Sequence, residues 1–129
     1  MPPLPFLALA GLALFLACAI PAGRSPIMRW QVPALIAAAL FAYSLWPVLT
    51  MGPLGFWPEH VSDPWSVQIW FDLLCSIGVG WALLAPRARA AGISPWPWLA
   101  LTLALGSIGL LAMLARVLHR EHGIGSTTA

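Results

Sequence analysis

The sequence predicts an all-α fold, a polytopic integral membrane bundle of four helices in one domain spanning residues 1–129. Three observations lead there. Of 129 residues, 60% are hydrophobic and only 8% charged, whereas soluble domains carry roughly 25% charged residues. Apolar runs cover 4–20, 32–49, 67–85 and 96–117, each near the roughly 20 residues that cross a 30 Å hydrocarbon core. Backbone groups find no water in lipid, so such runs must close their hydrogen bonds internally as helices.

The first run is followed, not preceded, by basic residues: Met1 to Phe6 carries none, while Arg24 and Arg29 come after it. A cleaved signal normally opens with positive charge. The run therefore reads as a retained helix with its N-terminus outside, although Ala17-Cys18-Ala19 and Pro21-Ala22-Gly23 offer the small residues a signal peptidase needs. In the second run Pro33 suits a first helical turn and Pro47 predicts a kink or an end. The connection Thr50–Ser66 holds Pro53, Pro58 and Pro64 with Gly52 and Gly55, which predicts a stiff aromatic cap without regular structure. Beyond the fourth run, the tail 123–129 is expected to fray.

Charge sets the orientation. Six arginines face Glu59, Asp63, Asp72 and Glu121, with no lysine, for a net charge of +2. Scattered arginines make no nucleic-acid footprint, which needs a clustered basic face. Arg24, Arg29, Arg87 and Arg89 fall in the first and third connections, and the second has no arginine, so the positive-inside rule puts both chain ends outside. Arg116 and Arg120 then disagree, ending the fourth helix on the outer side. Tryptophans mark both boundaries, Trp30, Trp96 and Trp98 at one and Trp46, Trp57, Trp65 and Trp70 at the other, with Trp81 deeper. An Ala, Leu, Arg and Pro-rich chain without lysine suggests a GC-rich bacterium and its cytoplasmic membrane. Cys18 and Cys75, each in an apolar run, read as inert small core residues.

Asp72 is the most informative side chain. A carboxylate at membrane depth costs on the order of 2.5–3.5 kcal/mol, so it is expected to face the bundle interior and to have a partner. Tyr43 and Ser44 fall at similar depth, and Arg116 is long enough to reach inward. A buried polar clasp of Asp72, Arg116 and Tyr43 is one reading; a proton or ligand site is the other. On the outer side, Glu59, His60 and Asp63 join His119 and His122, whose spacing of three puts both imidazoles on one helix face. As a metal site the motif is weak, because zinc helices usually space histidines four apart with a glutamate between. Ser76 and Gly80, with Gly106, Ser107 and Gly109, mark close helix packing. A lipid or isoprenoid groove is the alternative use of those small residues.

Phe71-Asp72-Leu73, Trp81, Arg87, Arg89, Gly92, Trp96, Leu105-Gly106-Ser107, Arg116 and Arg120-Glu121 together form a pattern. Over about residues 28–121 it resembles small bacterial membrane proteins grouped as domain of unknown function 2834. The resemblance implies a polytopic membrane protein with an important Asp72, and no activity. This chain differs in its additional N-terminal helix and in Leu111-Ala112-Met113-Leu114, where that group often has a proline.

No nucleophile has an oriented base here, and no phosphate loop is present. The expected function is therefore non-catalytic: an accessory or scaffold subunit packing against another membrane protein or a second copy, or a binder of a lipid-like molecule such as a quinone, carotenoid or isoprenoid. Two alternatives stand. One is an oligomeric transporter or channel subunit with Asp72 as its proton or cation site. The other is a membrane enzyme for lipids or isoprenoids using Asp72 with Tyr43, or His60 and His119 with a metal. No particular cofactor is indicated.

Overall fold

A computed structural model describes residues 4–24 and 29–127, with side chains for 4–17 and 29–125. Among these residues six helices and no strand form: α1 (Leu4–Arg24), α2 (Gln31–Met51), α3 (Phe56–His60), α4 (Pro64–Ala90), α5 (Trp96–Leu105) and α6 (Ser107–Thr127). Two of them, α2 and α4, are long and apolar enough to cross a membrane; the described apolar part of α1, Leu4–Ala17, and α5 are shorter. Cys18 lies outside the described side chains, and Cys75, expected in the core, is instead an exposed free thiol, because few helices cover that half of α4.

Local chemistry explains the boundaries. Pro33 sits in the first turn of α2, where its missing N–H is not needed. Of the kink or end expected at Pro47, the end does not occur: α2 continues to Met51, and the Thr50 hydroxyl donates to the Trp46 carbonyl at 2.9 Å. The connection is not free of regular structure either. It holds α3, with Phe56 and Trp57 of that short helix against Trp70 of α4. Asp63 then caps α4, its Oδ1 accepting from the backbone N–H groups of Trp65 (2.8 Å) and Ser66 (3.0 Å), with Pro64 following in the first turn. At the far end α4 runs through Pro86 to Ala90, one turn past the apolar run.

The fourth run is two helices rather than one. Gly106 adopts φ +61° and ψ −132° between α5 and α6, a conformation that L side chains rarely adopt. Gly109 is buried against α5 so closely that a Cβ there would lie 2.6 Å from the Thr102 nitrogen and 2.7 Å from the Leu101 carbonyl carbon. In a straight helix those residues would stand about 10–12 Å apart along the axis. The chain therefore reverses at Gly106 into a helical hairpin. Its second arm continues to Thr127, so residues 123–127 of the expected frayed tail are helical.

The hub is α6, on which α2, α4 and α5 all pack, while α3 packs on α4 and the described residues of α1 pack on no other helix. The core is Leu84 and Ala88 from α4 with Met113 and Val117 from α6, ringed by Trp81, Ile93, Trp98, Leu110 and Leu114. Register follows from these contacts. Gly80 approaches Leu110 and Arg87 bonds Glu121, so α4 and α6 run parallel. The Trp30 ring meets His119 edge-on at 5.1 Å, which puts the start of α2 beside the second half of α6.

One end of the molecule thus gathers Arg29, Arg87, Arg89, Arg116 and Arg120. The expectation that Arg116 and Arg120 lie opposite Arg87 is corrected, because the hairpin brings α6 back to the end from which α5 departs. The other end carries Glu59, His60 and Asp63. Since α6 begins only at the hairpin tip, the halves of α2 and α4 toward the acidic end are little covered: Leu49 is 83% and Trp65 78% exposed.

Candidate functional site

Two clefts flank α6. The first is an apolar groove of about 350 Å³ between α4 and α6, with Gly80, Leu84, Ser107, Leu110 and Leu114 in its walls and Arg87 at its basic end. Gly80 keeps it narrow on one side, for a Cβ there would meet the Leu110 side chain at 2.5 Å. Arg87 is held in place by a bidentate pair, its Nη2 donating to Glu121 Oε2 at 2.7 Å and its Nε to Oε1 at 3.2 Å. Both partners are well exposed, so the pair fixes geometry more than it adds stability. The second cleft, about 370 Å³, is lined by Trp30, Trp98, Ala112, Ala115, Arg116 and His119.

The expected polar clasp does not form. Asp72 is exposed on α4 and makes no hydrogen bond or ion pair with the described residues. Eight residues separate it from Gly80, and six separate Leu110 from Arg116 in the opposite sense. Asp72 and Arg116 therefore stand about 21 Å apart along the helices, beyond any side-chain reach. Tyr43 packs edge-on against Trp46 at 6.0 Å, and the Ser44 hydroxyl donates to the Leu40 carbonyl at 2.8 Å. Ser76 is exposed, whereas Gly106 makes the turn and Gly109 the close approach.

The outer histidine and carboxylate constellation is likewise dispersed. Glu59, His60 and Asp63 precede α4, and His119 and His122 lie beside its far end, about 36 Å away along that helix. Among the described residues no group of three His, Cys, Asp or Glu is placed to hold a metal ion. His60 and His122 instead donate from Nδ1 to carbonyls one turn back, Phe56 at 2.7 Å and Leu118 at 2.6 Å. Sequence reasoning missed the Trp30, Trp98 and His119 grouping, since only the hairpin brings these residues together.

Asp63 supplies a test of the acidic end. The backbone N–H of Ser66, then its hydroxyl, with further bonds from Ser62 and Trp65, hold the carboxyl below its ordinary value of 3.8 against an opposing desolvation. A depressed folded-state pKa contributes stability that is complete above the unfolded value and lost as pH falls through the folded one. Protection of the Trp65 and Ser66 amides from hydrogen exchange is thus expected to be constant at neutral pH and to fall only in acid below about 3.8. Asp63→Asn keeps an acceptor and is expected to abolish that pH dependence.

No protein-family model, curated protein or solved structure matches this chain. The functional reading therefore rests on the site itself.

Proposed function

We propose that this chain is a small, non-catalytic integral membrane protein that acts as an accessory or scaffold subunit. The observation that carries the reading is Asp72. An exposed carboxylate at membrane depth costs on the order of 2.5–3.5 kcal/mol if it faces acyl chains. Among the described residues nothing offsets that cost, so the outer half of α4 is read as the seat of another membrane polypeptide that supplies a donor. The same half leaves Ile69, Phe71, Leu73 and Leu74 exposed, an apolar surround for such a contact. Orientation follows the arginines: with the α5–α6 hairpin re-entering from the basic side, all six belong to the cytoplasmic face, the N-terminus lies outside and the C-terminus inside.

A second reading has its own support, in the apolar groove beside Arg87. Leucine walls and one cationic end suit a long-chain, lipid-like molecule with a polar head. One experiment separates the two: gentle detergent extraction followed by native mass spectrometry of the intact chain. The scaffold reading expects a second polypeptide or copy that Asp72→Leu removes. The ligand reading expects a bound small-molecule mass that Gly80→Leu removes by driving Leu110 into the groove. A bare monomer for the unaltered chain would overturn both.

A further inference from the structure

We infer that the cleft between α2, α5 and α6 is a binding site for the phosphodiester headgroup of an anionic phospholipid. This rests on the membrane reading but on neither the Asp72 contact nor the α4–α6 groove. The cleft combines three kinds of group. Arg116 brings a guanidinium with no carboxylate partner among the described residues, for Glu121 is engaged by Arg87 and the other acids lie toward the far end. Trp30 and Trp98 bring two half-buried indoles, each with one N–H donor on an apolar body. His119 adds an imidazole held edge-on against the Trp30 ring.

The floor makes the space. Ala112 and Ala115 stand where larger side chains would fill the gap between α6 and the two tryptophans, leaving about 370 Å³. That volume accommodates a headgroup and its glycerol linkage, and it lies within the range of ordinary ligand sites. A guanidinium matches a phosphodiester geometrically, since its N–H groups bond two oxygens in parallel. The indoles and alanines match what adjoins the phosphate in a lipid, the glycerol and the first methylenes. A free inorganic anion would leave those surfaces unfilled.

Location argues the same way. Among the described residues this end holds Arg29, Arg87, Arg89, Arg116 and Arg120 against Glu121 alone. Basic pockets between membrane helices at the cytoplasmic surface are where phospholipid headgroups bind, and amphipathic aromatic rings collect at that depth. Trp30 begins the membrane-length helix α2 and Trp98 lies in the first turn of α5, so both indoles belong at the interface.

The test uses the intact chain in detergent, titrated with phosphatidylglycerol, phosphatidylcholine, inorganic phosphate or glycerol phosphate, with bound lipid counted by native mass spectrometry. Arg116→Gln is expected to weaken phosphatidylglycerol binding about tenfold, as loss of one desolvated charge-assisted contact would. Arg89→Gln removes the same charge from the same end outside the cleft and is expected to change it less than about twofold, in line with a screened surface charge. Arg116→Lys keeps the charge without the fork and should fall between them. Arg116 is exposed, so unchanged helix content and thermal unfolding in all three variants verify that folding is intact. Equal losses from Arg116→Gln and Arg89→Gln would overturn the site in favour of diffuse attraction. Phosphatidylcholine binding as tightly as phosphatidylglycerol would overturn the anionic selectivity, and displacement of lipid by inorganic phosphate would overturn the lipid as occupant. None of these outcomes depends on Asp72→Leu or Gly80→Leu, so the proposals fail separately.

Discussion

Gly109→Val is expected to prise the α5–α6 hairpin apart and carry the C-terminus to the other end of the molecule. The added Cβ would meet backbone atoms of α5 at 2.6–2.7 Å, and backbone cannot rotate aside as a side-chain tip can. Overpacking costs about 1–3 kcal/mol and occasionally more, and a clash with backbone belongs at the upper end. An alternative is close at hand, because residues 96–127 form one continuous helix once the turn at Gly106 is abandoned. Adding Gly106→Ala favours it further, since alanine is strained at φ +61° and better than glycine in a helix. Extending the helix separates Glu121 from Arg87. In membranes, a fluorescent reporter fused after Ala129 is expected to be cytoplasmic in the unaltered chain and to lose that position in the double variant. A periplasmic reporter on the unaltered chain would refute the re-entrant hairpin.

Met113→Ala is expected to be the most damaging single truncation in the core. Met113 is fully buried at the hub, in one cluster with Leu84, Ala88 and Val117 from both packed helices. Truncating a buried methionine in a soluble core costs about 2–5 kcal/mol, from lost transfer energy plus the cavity left behind. Under the membrane reading proposed above, the surrounding lipid is as apolar as the core, so the transfer part largely vanishes and packing loss remains. The expected cost is therefore in the lower half of that range, about 2–3 kcal/mol. Leu103→Ala, at a side chain 80% exposed, is expected to cost nothing measurable. Equilibrium unfolding of the two variants in the same detergent checks the pair, and equal losses would remove Met113 from its central place.

Composition and run length were enough to read the all-helical class and the two long apolar helices, because hydropathy along a segment is a local sum. The same sum misread 96–117. It is blind to whether apolar residues lie on one helix or on two antiparallel arms, since both bury their backbone bonds equally well. Two signals pointed to the hairpin. One was Gly106 with Gly109, read as close packing or a lipid groove and not as a turn. The other was the disagreement of Arg116 and Arg120 with the remaining arginines, which the reversal at Gly106 resolves without moving any other element. In Thr50–Ser66 the prolines and glycines masked α3, whose aromatic side chains rest on Trp70 of a different helix.

Asp72 marks the boundary of what residue type alone implies. Its cost in lipid could be stated from the sequence, but the choice of an internal partner depended on a straight fourth helix placing Arg116 at its level. What the amino-acid order determined by itself was local: the long apolar helices, and apolar segments against charged ones. Which helix became the hub, which end gathered the arginines, and which indoles came to frame Arg116 were decided by the reversal at Gly106. A change of two dihedral angles at one residue redirects every residue after it, and no property that adds along the chain records a direction.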